Sequence, residues 1–422
     1  MQYFHSVTLQ EDKCKGCINC VKRCPTEAIR VKHGKAHIMA KLCIDCGECI
    51  RICPHHAKKA VYDHLDKLKD YTYTVAVPAP ALYGQFNNLE SIDFVLSGLT
   101  KIGFDEVFEV AAAAELVSEI TRRRLSEPNC PKPLISTACP AVVRMIKVRF
   151  PKLMGHLLKV NAPVEVAAKL ARQAAMQKTG LPAEQIGVFF ISPCPAKVTA
   201  AKNPIGTDRV VLDGVMAVSE IYKKLLSAMK EIDEPQVTQS CGLTGISWAY
   251  TGGEATALLR QKYLAADGIE NVVQILENIE DEKLKDLEFV ELGACISGCV
   301  GGCLTMENPY VARTRVRQLR KYLPVAGNHL SDFSVEEHAF DWDVDERADP
   351  AMLLDEDRSR AMQKMIEVQH IEQMLPGIDC AACGSPSCHA FAEDVVAGNA
   401  KDADCVFVMR NRLKNLMENI SE

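Results

Sequence analysis

Three short motifs in the middle of the chain combine cysteines with one lysine and one glutamate. They read Ser136-Thr137-Ala138-Cys139-Pro140, Pro193-Cys194-Pro195-Ala196-Lys197 and Glu291-Leu292-Gly293-Ala294-Cys295-Ile296-Ser297-Gly298-Cys299. An iron–sulfur cluster needs thiolates brought to one point from separate loops, and these motifs supply four. Lys197 follows one cysteine by three residues, and Ala138 directly precedes another. The motifs therefore predict a metal cluster with a cation beside it.

A second cysteine pattern is repeated after 29 residues near the N-terminus. It is Cys14-x2-Cys17-x2-Cys20-x3-Cys24-Pro25, followed by Cys43-x2-Cys46-x2-Cys49-x3-Cys53-Pro54. The pattern resembles the bacterial two-cluster ferredoxin, in which the fourth cysteine of each run ligates the other cluster. That resemblance implies one 4Fe-4S cubane on Cys14, Cys17, Cys20 and Cys53, and a second on Cys43, Cys46, Cys49 and Cys24. Paired zinc sites are the alternative, because two-residue spacings also suit zinc.

A third cysteine set, Cys380-x2-Cys383-x4-Cys388-x16-Cys405, lies near the end of the chain. It resembles the small iron–sulfur domain appended to some redox proteins, which implies a further 4Fe-4S cluster. Zinc remains open, because a single set of four cysteines suits either metal. Helices are predicted over 390–400 and over 357–374, the latter with apolar side chains that pack against the protein. These side chains are Met362, Met365, Ile366 and Ile371.

Strands and helices alternate between the central motifs. Buried strands are predicted over 74–78, 188–191 and 289–292, and helices over 166–177 and 217–229. This alternation indicates an α/β domain with partly parallel sheets. Ligands collect at the carboxyl ends of such strands, and Cys194 and Cys295 each follow a predicted strand. The elements and the cysteines thus indicate the same site.

Four segments follow from these patterns. We predict a small α+β two-cluster ferredoxin domain over 1–68 and the α/β domain over 69–325. An acidic linker is predicted over 326–356, and a helix with a small, mainly helical iron–sulfur domain over 357–422.

Charge and composition narrow the class of protein. The 422 residues are 48% hydrophobic and 25% charged, with a formal net charge of -6, so we expect neither nucleic acid nor an acidic membrane as partner. We recognise no export signal and no apolar run long enough to span a bilayer, and we expect a cytoplasmic protein. Nineteen cysteines in such a chain favour metal sites over disulfides. Cys130, Cys241 and Cys303 fall outside the three patterns and are predicted to be buried small residues.

From about Val75 to Lys321 the chain is similar to the catalytic domain of FeFe hydrogenases. That family has motifs of the form T-S-C-C-P, P-C-x-x-K and E-x-x-x-C-x-x-x-C. This chain matches them at Thr137, Cys139, Pro140, Pro193, Cys194, Lys197, Glu291, Cys295 and Cys299. Further similarity covers Ala79-Pro80 and Thr251-Gly252-Gly253.

The resemblance implies a cofactor and its contacts. A 4Fe-4S cubane would be held by Cys139, Cys194, Cys295 and Cys299. Cys299 would bridge to a two-iron subcluster with CO, cyanide and dithiolate ligands. The ammonium of Lys197 would donate to a cyanide ligand, and Ala79, Pro80, Ala138 and Pro193 would belong to the cofactor site. We expect Cys295 and Cys299 to lie on one face of a helical turn, because they are four residues apart.

The chain departs from the family where protons are handled. Typical members use the first cysteine of T-S-C-C-P as a proton-relay thiol, and Ala138 stands there. Ala200 stands where typical members have a glutamate, and Val164 stands where they often have a glutamine. Ile120 and Thr121 stand where an acidic pair is expected. Glu254 and Glu291 are the candidates for another proton path. Glu254 could equally be a first-turn helix glutamate favoured by the helix dipole.

The resemblance implies a low-turnover FeFe hydrogenase of the sensory branch, which shares the missing thiol and the appended four-cysteine domain. It would catalyse H2 = 2 H+ + 2 e- and pass electrons through accessory 4Fe-4S clusters. The partners implied are H2, protons, a redox or signalling protein, and maturation proteins for the two-iron subcluster. The alternatives are a non-catalytic electron-transfer or cluster-assembly protein with cubanes only, and a subunit of a larger redox complex.

Overall fold

The computed structural model describes residues 3–333, 336, 338–348, 354–355 and 357–421, with side chains up to residue 418. The chain forms two compact units. The first comprises Met1–Ser6, Ile44–Gly47 and Val61–Ala348, and the second comprises Val7–Cys43, Glu48–Ala60 and Asp349–Glu422.

Eleven strands lie within the described residues: β1 (Val7–Leu9), β2 (Ile29–Lys32), β3 (Lys35–Ile38), β4 (Lys58–Ala60), β5 (Tyr73–Pro78), β6 (Glu106–Val107), β7 (Leu134–Ile135), β8 (Ile186–Ser192), β9 (Gly214–Ala217), β10 (Tyr263–Asp267) and β11 (Phe289–Gly293). Fifteen α-helices lie within the same residues: α1 (Asn19–Lys22), α2 (Glu48–Arg51), α3 (Asp93–Lys101), α4 (Val110–Arg124), α5 (Pro140–Arg149), α6 (Pro163–Thr179), α7 (Pro195–Lys202), α8 (Val218–Lys230), α9 (Leu243–Ser247), α10 (Gly253–Ala257), α11 (Ile269–Glu280), α12 (Pro309–Leu319), α13 (Arg358–Met374), α14 (Cys388–Val396) and α15 (Val406–Ser421).

Two parallel sheets form the frame of the first unit. Their strand orders are β6-β5-β8-β9 and β10-β11-β7, and each neighbouring pair is parallel. β8 is buried along its whole length, as expected for a parallel strand covered by helices. The predicted α/β domain with partly parallel sheets is therefore confirmed.

The helices predicted for this unit are present, one with longer bounds and the other shifted by one residue. The segment predicted over 166–177 belongs to α6, which begins at Pro163 and ends before Gly180. Proline suits a first helical position, and Gly180 takes a φ of 72°, which favours glycine at a helix end. The segment predicted over 217–229 is α8.

Each sheet of the first unit has its own apolar core. Leu96 of α3, Phe189 of β8 and Leu225 of α8 belong to one core. Val142 of α5 and Val290 of β11 belong to the other. These cores fix the strand ends from which the central cysteine motifs begin.

Small paired strands and helices make up the second unit. β1 pairs with β4 and β2 with β3, both antiparallel, and a small core holds Val21 and Ile29 among the first cysteines. This is the predicted small α+β domain. The C-terminal residues are mainly helical as predicted, although α14 ends at Val396 instead of extending to Ala400.

The predicted helix before the C-terminal cysteines is α13, capped by Asp357, whose carboxylate accepts from Ser359 and Arg360. Ile371 packs against a core of the second unit. The expected packing of the other three apolar side chains is wrong. Met362, Met365 and Ile366 are exposed.

The part of the acidic segment up to Ala348 belongs to the first unit. The carboxylate of Glu115, buried on α4, accepts hydrogen bonds from the backbone of Gly327 and Asn328, both at 2.9 Å. Asp341 pairs with Arg124 at 2.6 Å. This stretch is therefore held to the domain by hydrogen bonds and ion pairs. Residues 334–335, 337, 349–353 and 356 of the predicted linker lie outside the described residues.

Candidate functional site

Cys194 and Cys295 follow strands β8 and β11, as predicted, and Cys139 follows the short strand β7, which was not predicted. β7 ends at Ile135, and Cys139 is the N-cap of α5. β8 ends at Ser192, and Cys194 is the N-cap of α7. In both cases a proline follows the cysteine and occupies the first helical position, where its missing N–H costs nothing. The motif prolines therefore start helices immediately after two ligand positions.

Cys295 and Cys299 are presented by a tight turn, so the predicted helical turn is wrong. Ser297 has a φ of 63°, and a short 3-10 helix begins only at Gly298. Gly298 has a φ of 80°, and a Cβ there would lie 2.7 Å from the backbone nitrogen of Thr251. The turn reverses the chain after β11 and brings the loop with Cys299 against the loop that contains Thr251.

All four cysteines line one cavity. The same cavity is lined by the other predicted site residues except Pro193: Ala79, Pro80, Ala138, Lys197, Glu254 and Glu291. The carbonyl of Pro193 instead accepts a 3.0 Å hydrogen bond from the backbone of Leu304. Pro193 thus helps to shape the loop that carries Cys194.

Lys197 extends from α7 towards the thiols. Its ammonium donates a 3.0 Å hydrogen bond to the carbonyl of Ala138. Removal from water alone would lower the pKa of Lys197, but the surrounding thiolates outweigh this effect and raise it, Cys299 and Cys194 most strongly. Lys197 is therefore held as a cation beside the cysteines.

Glu254 is a buried carboxylate, and only one of its two oxygens accepts a hydrogen bond from the described residues. Ser136 donates a 2.6 Å hydrogen bond to Oε2, while Oε1 is buried and has no hydrogen-bond partner among the described residues. Burial, together with the nearby charge of Glu291, raises the pKa of Glu254. Glu254 also lies in the first turn of α10. The same residue therefore both starts a helix and lines the cavity.

Both carboxylate oxygens of Glu291 accept hydrogen bonds. The backbone N–H groups of Gly252 and Ala255 donate to them, each at 2.8 Å. Burial raises the pKa of Glu291, while these hydrogen bonds act in the opposite direction. Glu291 thus anchors the start of α10, and Glu254 is the carboxylate with a free acceptor in the cavity.

The residues around this cavity fit a cluster cofactor. Four thiols converge from three loops, which is the donor set of an iron–sulfur cluster. Buried polar atoms without a partner are uncommon in folded proteins. Among the described residues, the Thr251 hydroxyl and Glu254 Oε1 are two such atoms, and both residues line the cavity.

The departures at Ala138, Val164 and Ala200 meet in one place. All three line a second, smaller cavity, and Lys197 lines it as well. Ala138, Ala162, Val164 and Lys197 line both cavities. The small and apolar substitutions therefore form a chamber adjoining the cysteine site.

Glu165 also lines this chamber and was missed from the sequence. It accepts a 2.8 Å hydrogen bond from the backbone of Ala162, the reciprocal contact of a capping box. Its removal from water raises its pKa to about 7. The available signal was a glutamate three residues after the N-cap of a helix that starts with proline.

The first N-terminal cysteine set is brought together in the second unit. The charges of Cys17, Cys53 and Cys14 each raise the pKa of the Cys20 thiol. In the second predicted set, the charges of Cys43 and Cys24 likewise raise the pKa of the Cys49 thiol. Cys46 belongs to Ile44–Gly47 of the first unit, so the ligation of this set stays a prediction.

The C-terminal cysteines line one small cavity in the second unit. They are Cys380, Cys383, Cys388 and Cys405.

Of the three unassigned cysteines, Cys241 is fully buried, whereas Cys130 and Cys303 are only half-buried. No α-helix of the described residues is long and apolar enough to cross a membrane.

Family comparison assigns all three parts of the chain. The model described as "Iron only hydrogenase large subunit, C-terminal domain" matches residues 72–263 and 211–303, more than half of the chain. The model described as "4Fe-4S dicluster domain" matches residues 6–54, and the model described as "Putative Fe-S cluster" matches residues 375–407.

Individual relatives are distant. The periplasmic [Fe] hydrogenase large subunit of Nitratidesulfovibrio vulgaris is 25% identical over 63% of this chain and 69% of its own. Iron hydrogenase 1 of Clostridium pasteurianum is 25% identical over 68% of this chain, which spans 55% of that relative. The "Probable cytosolic Fe-S cluster assembly factor" of Drosophila mojavensis is 20% identical over 66% of this chain and 74% of its own. The solved [FeFe]-hydrogenase HydA1 from Chlamydomonas reinhardtii, 16% identical, superposes over 68% of this chain and 98% of its own with a TM-score of 0.52. This last likeness shows a shared fold.

Proposed function

Because this chain belongs to the family of iron-only hydrogenase large subunits, we propose that it is a low-turnover, sensory hydrogenase catalysing H2 = 2 H+ + 2 e-. The observation that carries the proposal is the Lys197 ammonium in the wall of the four-cysteine cavity. A cubane alone needs no cation partner, whereas an anionic cyanide ligand gains from a charge-assisted hydrogen bond.

The cysteine loops and Lys197 form the binding site in this proposal. Cys139, Cys194, Cys295 and Cys299 would hold the cubane, and Cys299 would also bind the two-iron subcluster. When bound, that cofactor supplies the metal chemistry that separates H2 into protons and electrons. Ala79 and Pro80 contribute to the cavity wall.

Proton transfer in this proposal runs through a carboxylate. Ala138 offers only a methyl group, which neither donates nor accepts a proton. Glu254 presents a free Oε1, is held by Ser136, and has a raised pKa, so it can take up and release protons near neutral pH. Glu291 supports this role by fixing the start of α10. A path without the usual thiol accounts for slow turnover.

Electrons leave through the accessory cysteine sets, each proposed to hold a 4Fe-4S cluster. Their acceptor is proposed to be a redox or signalling protein, so that the reduction state or conformation of the chain reports H2. Assembly of the subcluster requires maturation proteins, and the cytoplasm is the proposed compartment.

A second candidate function is a non-catalytic iron–sulfur protein for electron transfer or cluster assembly. The similarity to cytosolic assembly factors favours it, because those relatives match about two thirds of this chain. In that case the four central cysteines would hold a cubane, and no two-iron subcluster would be present.

Infrared spectroscopy separates the two candidates. The full chain is matured anaerobically with the subcluster assembly proteins, and its CO and cyanide stretching bands are recorded before and after exposure to H2. Bands that change under H2 support the hydrogenase. Complete absence of bands, in a preparation with full cubane iron, would exclude it in favour of the second candidate.

A further inference from the structure

The two copies of the N-terminal repeat differ in character at one buried position. Ile29 lies five residues after Cys24, and Lys58 lies five residues after Cys53, so the two occupy equivalent places in the repeat. Ile29 and Lys58 are each only 2% exposed. The second repeat therefore buries an ammonium where the first buries an aliphatic side chain.

The side chain of Lys58 points into the second unit. Lys58 begins β4 and is paired with Leu9 of β1. Successive side chains of a strand face opposite sides, and the next residue, Lys59, is exposed. The Lys58 Nζ is buried and has no hydrogen-bond partner among the described residues. Burying an ammonium is costly unless negative charge lies nearby.

The negative charge near Lys58 comes from cysteines of both predicted clusters. Cys20 belongs to the first set and Cys49 to the second, and Lys58 is the strongest charged influence on each thiol. Ala57, the residue before Lys58, packs in one core with Cys20 and Cys49. The charge of Cys20 also raises the pKa of the Cys49 thiol. Lys58 therefore lies where ligands of the two sets are near neighbours.

We propose that Lys58 is an electrostatic positioning residue that raises the reduction potentials of both cubanes in the N-terminal dicluster domain. Each cubane takes up one electron on reduction, with no bond made or broken and no proton transferred. The reduced form carries one more negative charge, so a buried ammonium stabilises it more than the oxidised form. Because the site is removed from water, this effect is screened less than that of a surface lysine.

The consequence for the direction of electron flow rests on the proposed function. Cubanes of raised potential accept electrons more readily, which suits a chain that passes electrons away from an H2-oxidising site. The potentials themselves are measured without H2, so failure of the Lys58 proposal and failure of the hydrogenase proposal are distinguishable.

The test is a redox titration of the full chain, followed by electron paramagnetic resonance, on the natural protein and on Lys58→Met, Lys58→Arg and Lys59→Met. The dicluster signals are identified by the spin–spin interaction of two neighbouring reduced cubanes. We expect Lys58→Met to shift both midpoints to lower potential and Lys58→Arg to leave them near the natural values. Lys59→Met is the matched surface control and is expected to cause the smaller shift.

Iron content and cluster absorption establish that each variant retains its cubanes. If Lys58→Met loses them, Lys58→Ile replaces it, since isoleucine is the residue of the first repeat. A shift no larger than that of Lys59→Met overturns the proposal. Loss of the cubanes in both apolar variants also overturns it, because Lys58 would then be required for assembly.

Discussion

The Lys197 ammonium donates a 3.0 Å hydrogen bond to the backbone carbonyl of Ala138. The cation that fits the cofactor is thereby tied to the residue at which the family's relay thiol is missing. This contact holds the lysine on the wall shared by the two cavities. The proposed cofactor contact and the altered proton path can therefore be tested separately at neighbouring positions.

Replacing Lys197 should separate cofactor retention from cubane binding. Lys197→Met removes the ammonium but leaves the four cysteines, so we expect normal cubane iron and at least a tenfold loss of CO and cyanide band intensity. A hydrogen bond to a charged group is worth about 1.5–3 kcal/mol, which corresponds to that scale. Lys202→Met, an exposed position on the same helix, is the control. Equal band intensities in the two variants would contradict the role of Lys197.

Installing the missing thiol should speed turnover. Ala138→Cys places a titratable group in the wall shared by both cavities, and general acid–base groups contribute about 10²-fold or more. We expect at least a tenfold higher rate of H2 oxidation. Ala138→Val fills similar space without a proton and should leave the rate unchanged or lower it. A rate in Ala138→Cys equal to that of the natural protein would show that proton delivery is not limiting.

Glu254→Gln should slow the natural protein. The amide oxygen of glutamine can still accept from Ser136, but the side chain cannot carry a proton through the cavity. We expect about a 10²-fold lower rate of H2 oxidation with unchanged infrared bands. Glu184→Gln, at an exposed position of the same unit, is the control. If the bands were lost as well, Glu254 would be needed for binding of the cofactor.

The stability of the chain should depend on pH through Glu165. Its folded pKa of about 7 lies above the ordinary 4.5, so the folded state binds the proton more tightly than the unfolded state. Stability from this group is fully present below about pH 4.5 and is lost as the pH rises through 7. Glu165→Gln retains the capping contact and cannot ionise. From pH 5 to pH 8 we expect the variant to gain on the order of 2 kcal/mol relative to the natural protein in denaturant unfolding. A pH-independent difference would contradict the raised pKa.

Metal analysis should identify the C-terminal site. Cys405→Ser removes one of four cysteines around a shared cavity, and we expect the loss of about four iron atoms per chain with no change in zinc. Cys130→Ser, outside all cysteine patterns, should retain full iron. A loss of one zinc atom instead would show that this domain is a zinc site.

The ligand sets are predicted from cysteine spacing. Ligands two to four residues apart are confined to one short loop, so their order alone restricts which metal groups they can hold. Strand positions were also predictable, because β5 and β8 are buried and read as continuous apolar runs. The turn between Cys295 and Cys299 was not, since it depends on the left-handed conformation of Ser297 and on the close approach of Gly298 to Thr251.

The sequence by itself determined the family motifs, the four central cysteines and the loss of the relay thiol at Ala138. Only the tertiary structure decided which distant polar groups meet around them. Ser136 and Glu254 are 118 residues apart and hydrogen-bonded, and Glu165 reaches the chamber beside Ala138 only because α6 packs there. Local spacing fixes which atoms can bind a metal, whereas the partner of a buried carboxylate depends on how separate elements pack, which no short stretch of sequence encodes.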